Sequence, residues 1–580
     1  METEVRELIR KFALLNAVQH EGKARESPVM GKILAEKPQL KTEIKQVAQL
    51  IKEIVQEVNS LSLSKQREII EENWPELLTK RKIEEEKGLP PLPNAEKYPL
   101  IITRFSPNPD CVLHLGSARA IILCYEYARM YKGRFILRFE DTDPKLKKPV
   151  LEFYDRIRED LEWLGCKPDK EYIQSDRIPI YYEHAEKLLH DGNAYVCTCM
   201  SQEFRKRILQ KQPCPCRELS PEIHLERWKK MLDGTYAEGN AVVRVKTDIT
   251  HPNPAIRDWP ALRIIDTEKY PHPRVGSKYR VWPLYNFACG IDDHLLGVTH
   301  IIRGKEHLTN QHRQEYMYGH FGWKYPEAIH YGRLKITGAF LSKSKIVQGI
   351  RNGTFKSWDD PRLATFLALK RRGITPEAIR QLIIDVGPKT ADVVLSWENL
   401  YAYNRKILDP KANRFFFVVN PVQLTVENVP KAFDVQLYLH PEYPEKGARK
   451  YRIEPRRENQ GTQFWISRRD SEKFKRKQVI RLMGLFNVEI LDVKSYAVEA
   501  CYHSEGYQEA KKLKAPLIHW IPIDMGMPCN VVMPDASIER GIAEKLCKKL
   551  KPGTIIQFER FGFVRIDEVT RKLIAYYAHK

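Results

Sequence analysis

The chain has no apolar run approaching the roughly 20 residues that a membrane-spanning helix needs, so it reads as a protein without a transmembrane segment. Its amino-terminal stretch, METEVRELIRKFALL, carries Glu2, Glu4 and Glu7 and no cleavable apolar core. That argues against a secretory or transit leader and predicts a cytoplasmic protein. Internal repeats and low-complexity tracts are also missing, which sets aside solenoids and arrays. Acidic residues are in short supply: 75 Asp and Glu stand against 96 Lys and Arg, a formal net charge of +21. The basic residues are spread along folded-looking segments, so the excess favours a large polyanionic partner bound through counterion release. At 580 residues the chain exceeds one hydrophobic core and predicts about three to five domains.

Cysteine is sparse as well, at 11 residues, yet four of these cluster as Cys197, Cys199, Cys214 and Cys216. In a reducing compartment paired spacings of this kind argue for metal rather than disulfides. Four thiolates converging from two knuckles make a closed structural zinc site, although Cys-x-Cys is tighter than the usual Cys-x-x-Cys; reduced spectator thiols are the alternative. The two pairs bracket a basic stretch with Arg205, Lys206, Arg207 and Lys211, which predicts a stapled insertion facing a nucleic acid.

Along the chain, residues 1 to about 87 read as helical, with Ile44, Val47, Ala48, Ile51, Val55 and Val58 on one face of a long amphipathic helix. The pattern breaks at GLPPLPN, a stiff linker over Gly88 to Asn94. From about 98 to 190 strands alternate with helices, which predicts a parallel, doubly wound sheet. Arg134 to Asp141 reads as a second buried strand, and the next helix turns Phe153, Ile157, Leu161 and Leu164 inward and ends at Gly165. After about 405 short β-type runs follow one another without helices between them, which reads as β-barrels.

Between the first strand and its helix stands RFSPNPDCVLHLGSARA, Arg104 to Ala120. The triplet His-x-Gly occurs five times in the chain, so only context gives His114 meaning. Here Pro107 and Pro109 fix a turn and Gly116 and Ser117 open a helix, whose unpaired amides and positive dipole end suit phosphate. Gly116 would let a nucleotide lie against the backbone. The competing reading is a tight turn whose histidine caps or packs. Further on, FEDTDP puts Glu140 at the carboxyl edge of the sheet near Arg104. Tyr285, Asp292, Asp293, Arg303 and Glu306 interrupt an apolar βα pattern, and GAFLSKSK forms a small-residue loop with Ser342, Lys343, Ser344 and Lys345.

In this order the segments resemble the class I aminoacyl-tRNA synthetases of the glutamyl/glutaminyl group, with HLGS at the HIGH signature and FLSKS at the KMSKS signature. The resemblance covers about residues 98 to 405, and the later NRKILDP, IHWIP and QFERFGFVRID look like the barrel half of archaeal and eukaryotic members. It implies a multidomain α/β protein. A helical N-terminal extension (1–97) would precede a Rossmann-like catalytic domain in two parts (98–195 and 281–350) around an acceptor-stem-binding insertion (196–280). A helical connector (351–405) and β-barrel anticodon-binding domains (406–580) would follow. Ser117 replaces the last histidine of HIGH and Phe340 the first lysine of KMSKS; His114, Gly116 and Lys343 are retained, so activity is expected.

The implied chemistry is ATP-dependent activation of glutamate and its transfer to tRNA-Glu, extending to tRNA-Gln, with ATP, Mg²⁺ and a structural Zn²⁺ and without DNA or membrane partners. His114, Gly116, Ser117, Glu306, Ser342, Lys343 and Ser344 would hold ATP, with His114, Gly116 and Lys343 catalytic. Arg104, Ser106, Glu140, Tyr285 and Arg303 match the family's amino-acid pocket. Glu140 would meet the ammonium and Arg104 the side-chain carboxylate, whose shape suits a guanidinium fork. Arg303 stands where glutamyl enzymes carry arginine, and Cys289 where many bacterial members carry asparagine. Losing one charge-assisted hydrogen bond costs about 1.5–3 kcal/mol, so the arginine pair implies roughly tenfold to several hundredfold preference for glutamate. A glutaminyl-tRNA synthetase and a catalytically silent tRNA-binding paralogue are the rival readings.

Overall fold

The computed structural model describes residues 2–19, 22–37, 40, 43–74, 88–338, 342–455 and 461–580, in two compact units, Met1–Gly88 and Leu89–Lys580. The first unit holds helices α1 (Glu2–Gln19), α2 (Glu26–Glu36), α3 (Ile44–Ser60) and α4 (Leu63–Asn73). Its core is aliphatic, built on Ile9, Leu14, Val29, Ile33, Ile51, Val58 and Ile70. The stripe on α3 is Val47, Ile51, Ile54, Val55 and Val58. Ile44 and Ala48, expected on it, are exposed, because Ile44 sits in the first turn and Ala48 at the stripe's edge. Ser62 caps α4 by accepting from the Lys65 amide at 3.3 Å. The last part of the helical reading, residues 75–87, lies outside the described residues.

The second unit opens with β1 (Ile102–Phe105), α5 (Leu115–Met130), β2 (Arg134–Phe139), α6 (Leu151–Trp163), β3 (Lys170–Ile173) and α7 (Ile178–His190). The three strands form a parallel sheet in the order β1-β2-β3. Phe153, Ile157 and Leu161 of α6 and its C-cap Leu164 are buried, and Gly165 takes a φ of +68° after the helix end, as a left-handed cap requires. The chain then forms an antiparallel sheet of β4 (Ala194–Cys197), β5 (Val242–Val245), β6 (Pro260–Ile264) and β7 (Val281–Pro283), with α8 (Ser201–Leu209) and α9 (Pro221–Leu232) between β4 and β5.

Next come α10 (Tyr285–Leu295), β8 (His300–Gly304), α11 (Leu308–Phe321) and β9 (Glu327–Tyr331). β8 and β9 pair in parallel, and β8 lies alongside β1, where the Thr299 amide donates to the Ile102 carbonyl at 3.0 Å. The next segment holds β10 (Leu334–Ile336), α12 (Lys343–Arg351), α13 (Phe366–Arg372), α14 (Pro376–Val386), β11 (Val393–Leu395) and α15 (Trp397–Leu408). The stretch read as a helical connector holds α13, α14 and α15 and one short strand, β11, which pairs in parallel with β10.

Residues 413–579 build two seven-stranded sheets and a separate antiparallel pair, Phe433–Tyr438 with Ala448–Ile453. The edge strands of one are Asn413–Phe415 and Phe417–Val419, consecutive in the chain with Phe416 alone between them, so this sheet closes on itself. The other ends in Leu517–Ile518 and Ile521–Pro522, separated by His519 and Trp520, and closes the same way. Closure removes the exposed edges that short strands would otherwise present. The first barrel is discontinuous: it takes Asn413–Phe415, Phe417–Val419 and then the strands from Gly526–Val532 onward, with the second barrel inserted between them.

Candidate active site

A cavity of about 710 Å³ opens at the carboxyl ends of β1, β2 and β8, where ligands of open parallel sheets bind. Arg104, Ser106, Glu140, Tyr285, Arg303 and Glu306 all line it. The remaining expected residues, His114, Gly116, Ser117, Ser342, Lys343 and Ser344, are not part of this lining.

The base of the cavity is a buried charge network. Arg104 donates through Nε and Nη2 to both oxygens of Asp293, at 3.0 and 3.3 Å. Arg138, wholly buried, reaches the same carboxylate at 2.7 Å and Glu140 at 3.2 Å. Burial would push Asp293 up, but the guanidiniums of Arg104 and then Arg138 outweigh it and hold the carboxyl below its ordinary value. Burial raises Glu140, against the pull of Arg138 and of the Cys289 thiol, which donates to Glu140 at 2.8 Å. Glu140 therefore has Arg138 and Cys289 as its direct partners. Asp292 is occupied by Arg177, Tyr181 and Gln174 at 2.8, 2.7 and 3.1 Å. Asp293 and Arg138 are the residues that sequence reasoning left without a role. Their only signal is the burial of ionisable groups inside an apolar pattern.

Arg303 differs from its neighbours. It is 6% exposed and donates to the Gln314 amide oxygen from Nη1 and Nη2, at 3.2 and 3.3 Å, and to the Tyr325 hydroxyl at 2.9 Å. Its Nε is buried without a partner, and among the described residues no carboxylate pairs with it. Ser106 Oγ, Asn108 Oδ1 and Asn286 Oδ1, on residues that also line the cavity, are likewise unpartnered. Buried polar atoms are nearly always satisfied, so such a cluster marks a wall built to meet a polar ligand. Tyr285 leans on His307, whose Nδ1 lies 3.4 Å from its hydroxyl. Burial, with Arg303 adding to it, lowers His307 to about 4, so its ring is neutral.

His114 is the N-cap of α5: its Nδ1 accepts from the Gly116 amide at 3.0 Å. A Cβ at Gly116 would lie 2.7 Å from the His114 ring, so the glycine is demanded first by the histidine itself, rather than by a nucleotide lying on the backbone. The capping and phosphate readings are compatible. With Nδ1 accepting, the ring proton sits on Nε2, and burial lowers the pKa, leaving a neutral donor. The loop is tied from both sides. The Glu140 and Val150 amides donate to the carbonyls of Pro107 and Pro109 at 2.9 Å each, and the Leu115 amide to Ala364 at 2.9 Å. Lys343 opens α12 and pairs with Asp110 of the same loop, while Ser342 and Ser344 lie with their hydroxyls 3.2 Å apart. Phe340 falls outside the described residues.

The thiols of Cys197, Cys199, Cys214 and Cys216 converge within 4.8 Å of one another. Cys214 lies 3.5 Å from Cys197 and 3.4 Å from Cys199, and Cys199 lies 3.8 Å from Cys216. Arg227 donates to Cys216 at 3.3 Å.

A family model for the catalytic domain of class I tRNA synthetases (E and Q) matches residues 100–410, and two for the anti-codon binding domains of the same group match 412–503 and 517–567. The glutamate–tRNA ligase of Pyrococcus furiosus is 54% identical over 584 residues, covering 100% of both chains. That of Pyrococcus abyssi is 52% identical with the same coverage, and that of Hyperthermus butylicus 46% identical, covering 98% of this chain and 100% of its own. A crystal structure of a glutamate tRNA ligase from Elizabethkingia meningosepticum in complex with its amino acid matches at 21% identity and a TM-score of 0.40, over 54% of this chain and 70% of its own. Matches along nearly the whole chain, with a cavity at the sheet's carboxyl edge, define a class I aminoacyl-tRNA synthetase. The chain belongs to the glutamyl/glutaminyl (E and Q) family of these enzymes.

Proposed function

We propose that this chain is a glutamate–tRNA ligase of the cytoplasm, which activates glutamate with ATP to glutamyl-adenylate and transfers it to the 3′ end of tRNA-Glu. The observation that carries the reading is Arg303, a buried guanidinium on the cavity wall with only neutral partners. On the cavity wall and directly behind it, three guanidiniums, of Arg104, Arg138 and Arg303, stand against two carboxylates, of Asp293 and Glu140. That wall complements zwitterionic glutamate, which carries one net negative charge, better than glutamine, which carries none. Arg303 takes the side-chain carboxylate together with the free edge of Arg104. Glu140 takes the ammonium, and Ser106 and Tyr285 complete the pocket.

Activation is attack of the substrate carboxylate on the α-phosphate of ATP, so it needs positioning and charge stabilisation rather than a side-chain nucleophile. His114 Nε2–H and the amides opening α5 hold phosphate oxygens. Lys343 neutralises charge gathering on the departing pyrophosphate, with Ser342, Ser344, Ser117 and Glu306 around the nucleotide. Mg²⁺ would supply further neutralisation of phosphate charge beside His114 and Lys343, and would ask for no dedicated carboxylate cage. The four cysteines fit zinc: tetrahedral bonds of about 2.3 Å put sulfur atoms about 3.8 Å apart, close to the separations present. Zinc there would brace the insertion toward the tRNA acceptor end, and metal analysis is expected to give close to one zinc per chain. A value near zero in protein purified without chelator would retire it.

ATP–pyrophosphate exchange with glutamate and with glutamine, each with and without tRNA, tests the main reading. Exchange with glutamate alone among the two is expected; exchange with glutamine instead, or with neither, would reverse it. We extend the proposal to charging of tRNA-Gln with glutamate. Aminoacylation of both transcripts at matched concentration checks this, and a preference above about a thousandfold, roughly 4 kcal/mol, leaves tRNA-Glu alone.

A further inference from the structure

The unpaired charge on Arg303 has a structural cause. Gln314, on α11, is fully buried. Its Nε2 donates to the backbone carbonyl of Asn286 at 3.3 Å, which fixes the orientation of the amide. Oε1 must then face the other way, where it accepts from both terminal nitrogens of Arg303 and, at 2.8 Å, from the Tyr325 hydroxyl. Burial pushes that phenol up to about 12, so it remains a donor. Helices α10 and α11 are packed closely enough to hold the amide there. The Tyr318 hydroxyl donates to the Gly290 carbonyl at 2.8 Å, and a Cβ on Gly290 would meet Met317 at 2.3 Å. Asn286 follows Tyr285 at the start of α10, so one amide couples the orientation of Arg303 to the helix end that carries another pocket residue.

The contrast with Arg104 supplies the inference. Arg104 is held in place by a carboxylate, Asp293, which cancels its charge. Arg303 is held by two neutral groups, which orient it and leave its charge uncancelled. We infer that Gln314 is a positioning and specificity-determining residue: its neutral amide aims Arg303 into the cavity while keeping that guanidinium charged toward an anionic substrate side chain. This rests on the reading that the cavity takes glutamate, and it adds that the amino-acid preference is set from beneath the pocket by a residue that never touches the substrate.

The test is the pair Gln314→Glu and Gln314→Met in the full-length chain, assayed by ATP–pyrophosphate exchange with glutamate and with glutamine in the presence of tRNA. Gln314→Glu places a carboxylate on Arg303. The expected result is a rise of at least a hundredfold in KM for glutamate, a kcat within about fivefold of the parent, an unchanged KM for ATP, and a glutamine-to-glutamate ratio of kcat/KM raised at least thirtyfold. Gln314→Met removes the acceptor without adding charge. It is expected to raise KM for glutamate about tenfold and to move the ratio far less than the glutamate variant does. A merely structural role would lower exchange with both amino acids alike and leave the ratio where it was. That outcome in Gln314→Glu, or an unchanged KM for glutamate in either soluble variant, overturns the inference. If Gln314→Glu does not fold, the Gln314→Met KM decides alone. Should the parent itself not exchange with glutamate, the proposed function falls rather than the role of Gln314, which the parent's own exchange therefore distinguishes.

Discussion

The base of the cavity and the loops expected to hold ATP keep their charges in opposite ways. Arg104, Arg138 and Asp293 are almost wholly buried and bonded to one another, so each depends on the rest for its solvation. Lys343 has a side chain 40% exposed and one carboxylate partner, Asp110. A preformed polar wall suits recognition, because a wrong substrate leaves buried groups unpaired. An exposed lysine suits a charge that appears only in the transition state, because little must be broken to redirect it. Selectivity and rate are therefore assigned to different physical environments.

The comparison breaks first at Asp293. Asp293→Ala leaves Arg104 and Arg138 buried without their shared carboxylate. Removing one partner of a buried pair costs about 3–5 kcal/mol, so a lower denaturant midpoint and loss of glutamate-dependent exchange are expected together. A variant with parental stability would mean that the network is wetter than its burial indicates. Lys343→Ala is expected to lower the activation rate at least a hundredfold, while tRNA affinity and the denaturant midpoint stay near parental values. A variant that activates glutamate normally removes Lys343 from the mechanism, and one that melts early removes the contrast.

Much of this was legible in the sequence, and the limits have physical causes. The turn at His114, the helix ending at Gly165 and the cysteine cluster are local, fixed by residues a few positions apart. The five residues that motif order suggests for an amino-acid pocket share one cavity. The partner of Arg104 was not legible, because Asp293 lies 189 residues away and nothing local says which acid of Asp292 and Asp293 turns to which arginine. Gln314 carries no signal at all, since a fully buried glutamine on a helix reads as an ordinary polar position. The short β-type runs after about 405 read as strands, but only closure shows that Phe416 in one barrel and His519 with Trp520 in the other are the breaks where each meets itself.

Buried groups also carry the acid response. Burial lowers His224, His307, His519 and His579 to about 4 each, against an unfolded value near 6.5. Between those values the unfolded chain binds the proton that the folded chain refuses, so stability is full above about pH 6.5 and falls as pH drops toward 4. At pH 5.5 each histidine accounts for about 1.4 kcal/mol. Denaturant midpoints at pH 7.5 and 5.5 measure the sum, and His579→Asn should shrink the difference by about that amount. An equal slope in the variant would place His579 in water. Asp293, held low, loses its contribution only at more acidic pH and does not enter this window.

The smallest expected effect sharpens the other side of the comparison. Asp110→Asn removes the carboxylate that Lys343 meets in this structure. With the lysine 40% and the aspartate 11% exposed, the pair falls near the upper end of the about 0.2–1 kcal/mol of solvent-facing pairs, so the denaturant midpoint should shift only slightly and KM for glutamate not measurably. For the rate, two terms oppose each other. Asp110 restrains Lys343 close to the loop that carries His114, which helps positioning, and it also competes with phosphate for the ammonium, which hinders it. The terms nearly cancel, and exchange within about threefold of the parent is expected, with KM for ATP equal or slightly lower. A loss approaching that of Lys343→Ala would mean that Asp110 aims the lysine in the transition state, and the ATP-facing loops would then be as preorganised as the cavity base.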